Sequence, residues 1–189
     1  MLTEEQILDN KSKFIGLLTN LNIDLTAITK YLISDRVDYF NKPYNNHQNY
    51  SYKGSLCEHT LKLVAELQKL CDIYYPEKYS VEEILKVALF KDLYRAELYE
   101  PYLKNVKNEF TGQWESILAY RAKDVRPIFG DISFSSYMIS KKFINLDNDE
   151  LVEAIMFSSN TSNIENYNIR KTYKLVTLVS MAELAVDYL

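Results

Sequence analysis

Helix starts are the most constraining feature of this chain. A Ser, Thr or Asp stands three residues ahead of a Glu or Gln, and an apolar run at helical spacing follows: Thr3 with Gln6, Ser55 with Glu58, Ser80 with Glu83, and Asp147 with Glu150. In that pattern the first side chain accepts the amide of the second residue, and the second side chain reaches back to the first amide. Two of the donors that a helix end leaves unpaired are satisfied at once. These starts predict helices over 3–20, 55–74, 80–98 and 147–158, and apolar periodicity alone adds 24–40, 133–144 and 168–188. The stretch 101–121 breaks the pattern. Tyr102, Val106 and Phe110, then Thr111-Gly112-Gln113, then Trp114, Ile117 and Tyr120 read as a short β-hairpin turning at the glycine. The expected class is all-α, a compact helical bundle carrying a small β-hairpin appendage.

With 189 residues, 47 % of them hydrophobic, the chain can bury one substantial core. Four glycines, four prolines and no low-complexity tract leave no obvious linker, so a single domain over 1–189 is expected. A net charge of −4 argues against general nucleic-acid binding, which needs cations to displace counterions from phosphates. No apolar run approaches the roughly 18 to 20 residues of a membrane span. The opening MLTEEQILDN is acidic where a secretory leader would be basic and then apolar, so a cytoplasmic location is expected. Cys57 and Cys71 fall on one expected helix, about 21 Å apart at 1.5 Å per residue, too far to pair; buried reduced thiols are expected. The polar, tyrosine-rich stretch 41–54 reads as a loop, either functional or simply solvated.

Polar residues placed where helical period predicts burial are the informative ones. His59 lies between Leu56 and Leu63 on the apolar face of its helix. Lys91 follows Ile84 and Ala88 at helical spacing, and Asp92 follows Leu85 and Leu89, so both charges tend toward the core. Glu183 is surrounded by Val176, Val179, Met181, Ala182, Leu184 and Val186. Buried ions need partners or a metal. Together these residues suggest a polar pocket inside a helical domain.

Several segments, in order, resemble the HD-domain phosphohydrolases, specifically the small single-domain members common in bacteria and phages. Tyr52-Lys53-Gly54-Ser55-Leu56-Cys57-Glu58-His59-Thr60-Leu61 is similar to the family's Y-x-G-G-L-x-E-H-S-L entry into its first ligand helix. Val87-Ala88-Leu89-Phe90-Lys91-Asp92-Leu93 resembles an apolar run ending in H-D-L. Asn105-Val106-Lys107-Asn108-Glu109 and Thr111-Gly112-Gln113-Trp114-Glu115 look like the N-x-K-x-E and G-x-W of the same subgroup. Ile128-Phe129-Gly130-Asp131 stands in the place of a P-L-G-H loop, Glu153 to Ser158 in that of an A-I-R-W-H helix, and Val179 to Leu184 in that of a closing H-x-A-D-L helix. The likeness covers about 44–189, taken as an HD-like core, with the helices of 1–40 outside it as either core completion or a dimer contact.

The resemblance implies a cage of imidazoles and carboxylates that holds divalent ions, activates water and neutralises a phosphate ester. On those positions only His59 and Asp92 are unchanged. Lys91, Asp131 and Ser158 stand for histidines and Glu183 for aspartate. A protonated lysine has three donors and no lone pair, so it repels a cation where the family needs a ligand. Lys91 is therefore expected to replace the metal as the positive centre, paired with Asp92 and one of Asp131 or Glu183. The implied function is a catalytically degenerate HD-domain protein that binds a nucleotide, a phosphate ligand or a protein partner without turning it over, and no cofactor is favoured. The alternative is an active phosphohydrolase on nucleotides or related esters, with His59, Asp92, Asp131 and Glu183 holding Mg, Mn or a transition metal. Lys104, Lys107, Arg121, Lys123 and Arg126 are candidate anion contacts or a solvated charged face.

Overall fold

The computed structural model describes residues 1–46, 49–124, 131–157, 169 and 172–188. Among them the chain is mostly helical, with one antiparallel hairpin: α1 (Glu4–Leu18), α2 (Leu25–Leu32), a 3₁₀ turn (Tyr39–Asn41), α3 (Ser55–Tyr74), α4 (Val81–Phe90), α5 (Arg95–Leu98), β1 (Tyr99–Lys107), β2 (Trp114–Ala122), α6 (Ile132–Ser140), α7 (Asp149–Phe157) and α8 (Lys174–Tyr188). The central helix is α3, which packs on α1, α4 and α8, while α7 packs on α4, α6 and α8.

Two of the expected reciprocal caps are present, Thr3 with Gln6 on α1 and Ser80 with Glu83 on α4. Two are not. Gly54, at φ +82°, caps α3 in place of Ser55, whose hydroxyl instead contacts the Tyr50 and Tyr52 carbonyls at 2.5 and 2.8 Å. Glu58 takes the Tyr52 hydroxyl and the Lys62 ammonium. At α7, Asn148 accepts the Glu150 amide at 2.8 Å, and the Glu150 carboxylate is drawn away to the Tyr79 hydroxyl and the Leu175 amide. The same side chains that could close a capping box are consumed by tertiary partners.

The expected helix over 80–98 ends at Phe90. Beyond Lys91 the amides of Leu93, Arg95, Ala96 and Glu97 turn back three residues each, and the Tyr94 amide donates to the Ser136 hydroxyl of α6 at 3.1 Å. The expected helix over 24–40 stops at Leu32, after which Asp38 sits at φ +44° ahead of the 3₁₀ turn. The hairpin is longer than expected at its base, running Tyr99–Lys107 against Trp114–Ala122 with Tyr102 opposite Ala119 and Val106 opposite Glu115. It turns at Gly112, φ +71°, where the Asn108 side chain accepts the amides of Phe110 and Thr111.

Phe14 and Leu18 of α1 and Ile28 and Leu32 of α2 are buried in one cluster with Leu56, Leu89 and Phe90, so residues 1–40 complete the core around the start of α3. A second cluster joins Leu63 and Leu67 of α3 to Val87 and Ala88 of α4, Ala154 and Ile155 of α7, and Val176 and Val179 of α8. The loop 41–54 is no solvated strap: Tyr44 and Tyr50 are buried in the first cluster, and the Tyr44 amide donates to Ser55. Cys57 and Cys71 are buried and unpaired, and burial pushes their thiols up to about 12 and about 11, which keeps both protonated at neutral pH.

Candidate functional site

The tightening of the chain after α4 turns Lys91, Asp92 and Arg95 toward α8. The Lys91 ammonium is fully buried; it donates to Asp92 Oδ2 at 2.8 Å and to Glu183 Oε1 of α8. Arg95 Nε donates to the second Asp92 oxygen at 2.6 Å. Two cations therefore face two carboxylates at the end of α4, which leaves the group locally neutral. Glu183 also accepts the Tyr44 hydroxyl at 3.4 Å. The Tyr44 ring lies parallel to the His59 imidazole, centroids 3.5 Å apart, and carries the Arg95 guanidinium 4.3 Å from its centre. His59 is fully buried, its Nε2 3.0 Å from Asp187 Oδ1 of α8, while its Nδ1 has no hydrogen-bond partner among the described residues.

Burial works against every charge in this group, and the pairing outweighs it. Burial alone would pull the Lys91 ammonium down, but Asp92 and Glu183 hold it above the ordinary lysine value. Burial would raise the Asp92 carboxyl, but Lys91, Arg95 and His59 hold it well below the usual carboxylate range. The Tyr44 hydroxyl is pushed well up, first by burial and then by Asp92, and stays protonated. A carboxylate held ionised by two cations is a poor proton acceptor, and an ammonium held protonated has no lone pair to offer. The group is built to keep its charges fixed.

Of the residues singled out in the sequence, Lys91, Asp92 and Glu183 are in contact and His59 lies beside them on the Tyr44 ring. Asp131 is elsewhere: it is exposed, and its carboxylate accepts the Phe134 amide at 2.9 Å as the N-cap of α6. A short carboxylate at a helix start satisfies free amide donors, and that claim on it won over a place in the pocket. The expected pairing of Lys91 with Asp92 and either Asp131 or Glu183 is thus with Glu183. Ser158 and Arg126 lie outside the described residues. The candidate anion contacts do not converge. Lys104 and Arg121 share one face of the hairpin and Lys107 points from the other, because side chains alternate along a strand. Arg121 is already paired with Glu100 at 2.7 Å, and Lys123 lies beyond β2, where its charge helps burial lower the Lys42 ammonium.

Most donors of this group are already committed. Its carboxylate ligands, Asp92 and Glu183, already enclose an ammonium, and His59 Nε2 is turned to Asp187. Among the described residues no three of His, Cys, Asp and Glu gather around a common point. Three members of the group escaped sequence reasoning. Arg95 sits three residues after Asp92, and Asp187 four after Glu183, so helical spacing held a signal for both. Tyr44, in a loop without period, had none.

No family model matches the chain, and no curated protein or solved structure matches it.

Proposed function

We propose that this chain is an HD-domain-like protein whose catalytic metal centre has been replaced by an ion-pair network, and that it acts by binding a nucleotide, a phosphate ligand or a protein partner and not by turnover. The observation that carries this reading is the Lys91 ammonium enclosed by Asp92 and Glu183. On the positions of the family's motifs, that lysine stands where a ligand histidine would hold the cation, and the neighbouring carboxylates have no charge left to recruit one. The order of the motifs from Tyr52 to Leu184 supports the family reading, and the retention of His59 and Asp92 supports descent from a working site.

Purified protein analysed for metals and assayed for phosphate release on a panel of nucleotides tests this directly. The expected results are less than stoichiometric metal and no release above a blank. Near-stoichiometric tightly held metal, with release that vanishes in Asp92→Ala, would establish the hydrolase instead. Lys91→His, which puts an imidazole between Asp92 and Glu183 in place of the ammonium, is expected to gain affinity for a transition metal.

A further inference from the structure

Away from the Lys91 group, between the end of α2 and α6, the molecule has a concavity of about 350 Å³. At roughly 30 Å³ per water it has room for about a dozen waters, the lower end of the range for small-molecule sites. Its walls are largely apolar: Val37, Tyr94, Met138 and Ile139 line it. Its polar groups are unevenly charged. Glu97, nearly buried in the wall, accepts Arg36 Nε and Nη2 at 3.0 and 2.6 Å and the Tyr31 hydroxyl at 3.2 Å, so its charge is already answered. Burial and Glu97 push the Tyr31 hydroxyl far up, and it remains a donor to Glu97 at any physiological pH. Lys142, exposed at the opening, has no ion-pair partner among the described residues. Two cations against one carboxylate leave the pocket with one uncompensated positive charge.

We infer that this pocket binds a small monocarboxylic acid, with an aromatic or aliphatic body of about ten non-hydrogen atoms against Met138 and Ile139 and its carboxylate at Lys142 and the outer edge of the Arg36 guanidinium. The single excess charge matches a monoanion and not a polyanion such as a nucleoside di- or triphosphate. The inference is independent of the Lys91 reading, since neither the residues nor the cavity are shared.

Calorimetric titration of the full chain with phenylacetate, phenylacetamide and phenethylamine tests it. Phenylacetate is expected to saturate below about 10 mM, the amide to bind at least tenfold more weakly, and the amine not to bind. Lys142→Glu, at an exposed position that leaves the core intact, is expected to weaken phenylacetate at least tenfold without changing the unfolding midpoint. Met138→Trp, which fills the cavity, is expected to abolish binding of both the acid and the amide. Absence of saturation by phenylacetate, equal affinity for acid and amide, or unchanged phenylacetate binding in folded Lys142→Glu would each overturn the assignment.

Discussion

The end of α4 and the β-hairpin that follows it invert the usual placement of residue types, in opposite directions. At the end of α4, Lys91 and Asp92 are buried with Glu183, and each charge is matched within the group. On the hairpin, Leu103, Leu118 and Trp114 share one face at 72, 51 and 71 % exposure, and Phe110 at the turn is fully exposed. The first region spends desolvation on ions and is held by the exactness of their pairing. The second leaves apolar surface in water and is held mainly at its base, where Tyr99 and Tyr120 are buried, Tyr120 donates to the Asn41 carbonyl and the Lys123 amide to that of Leu98. The lesson is that a buried charge here is a structural commitment, whereas a charge on the hairpin is nearly free to change.

The strongest way to break that contrast is Lys91→Met. Removing the ammonium takes away the buried cation that Asp92 and Glu183 share, and a loss of about 3 to 5 kcal/mol in denaturant unfolding is expected. Adding Glu183→Gln is expected to restore part of it, because the uncompensated charge goes too. Acid comes next. Because the folded Asp92 carboxyl lies below its ordinary 3.8, its contribution is fully present above that pH and is lost as pH falls toward the folded value. Unfolding midpoints are expected to drop below pH 3.8 more steeply in the parent than in Asp92→Asn. Two glycines that are left-handed among the described residues, Gly54 and Gly112, compare packing at similar backbone strain. Gly54→Ala is expected to cost about 2 kcal/mol, since its Cβ would lie 2.8 Å from Ile7 Cγ1, whereas Gly112→Ala, with nothing near it, should cost only the roughly 1 kcal/mol of the conformation. Smallest of all is Arg121→Gln on the hairpin, expected within about 0.5 kcal/mol, because an exposed ion pair contributes little. A larger effect there would break the contrast from the other side.

Capping patterns and periodicity together found α1, α3 and α4, periodicity alone found α8, and helical spacing gave the inward tendency of His59, Lys91, Asp92 and Glu183, because a buried helix face repeats at fixed spacing. These patterns failed where a residue had two possible partners at similar distance. Ser55 and Glu150 fit a capping pattern in sequence yet serve the 50–52 loop and α8 in space. Asp131 fits a ligand position and caps a helix instead. The break after Lys91 carries no proline or glycine, so nothing local announces it; it is set by Ser136 of α6 claiming the Tyr94 amide. Arg95, three residues after Asp92, was open to the same helical reading and was missed.

The state of the Lys91 ammonium tests the central claim most directly. Nitrogen-15 correlation spectroscopy of lysine ammonium groups, at neutral pH with and without a chelator and then with added manganese, should give one slowly exchanging signal that is absent from Lys91→Met and neither shifted by the chelator nor broadened by stoichiometric manganese. If that signal is missing from the parent protein, or one equivalent of manganese abolishes it, a metal and not an amine occupies the centre of the fold.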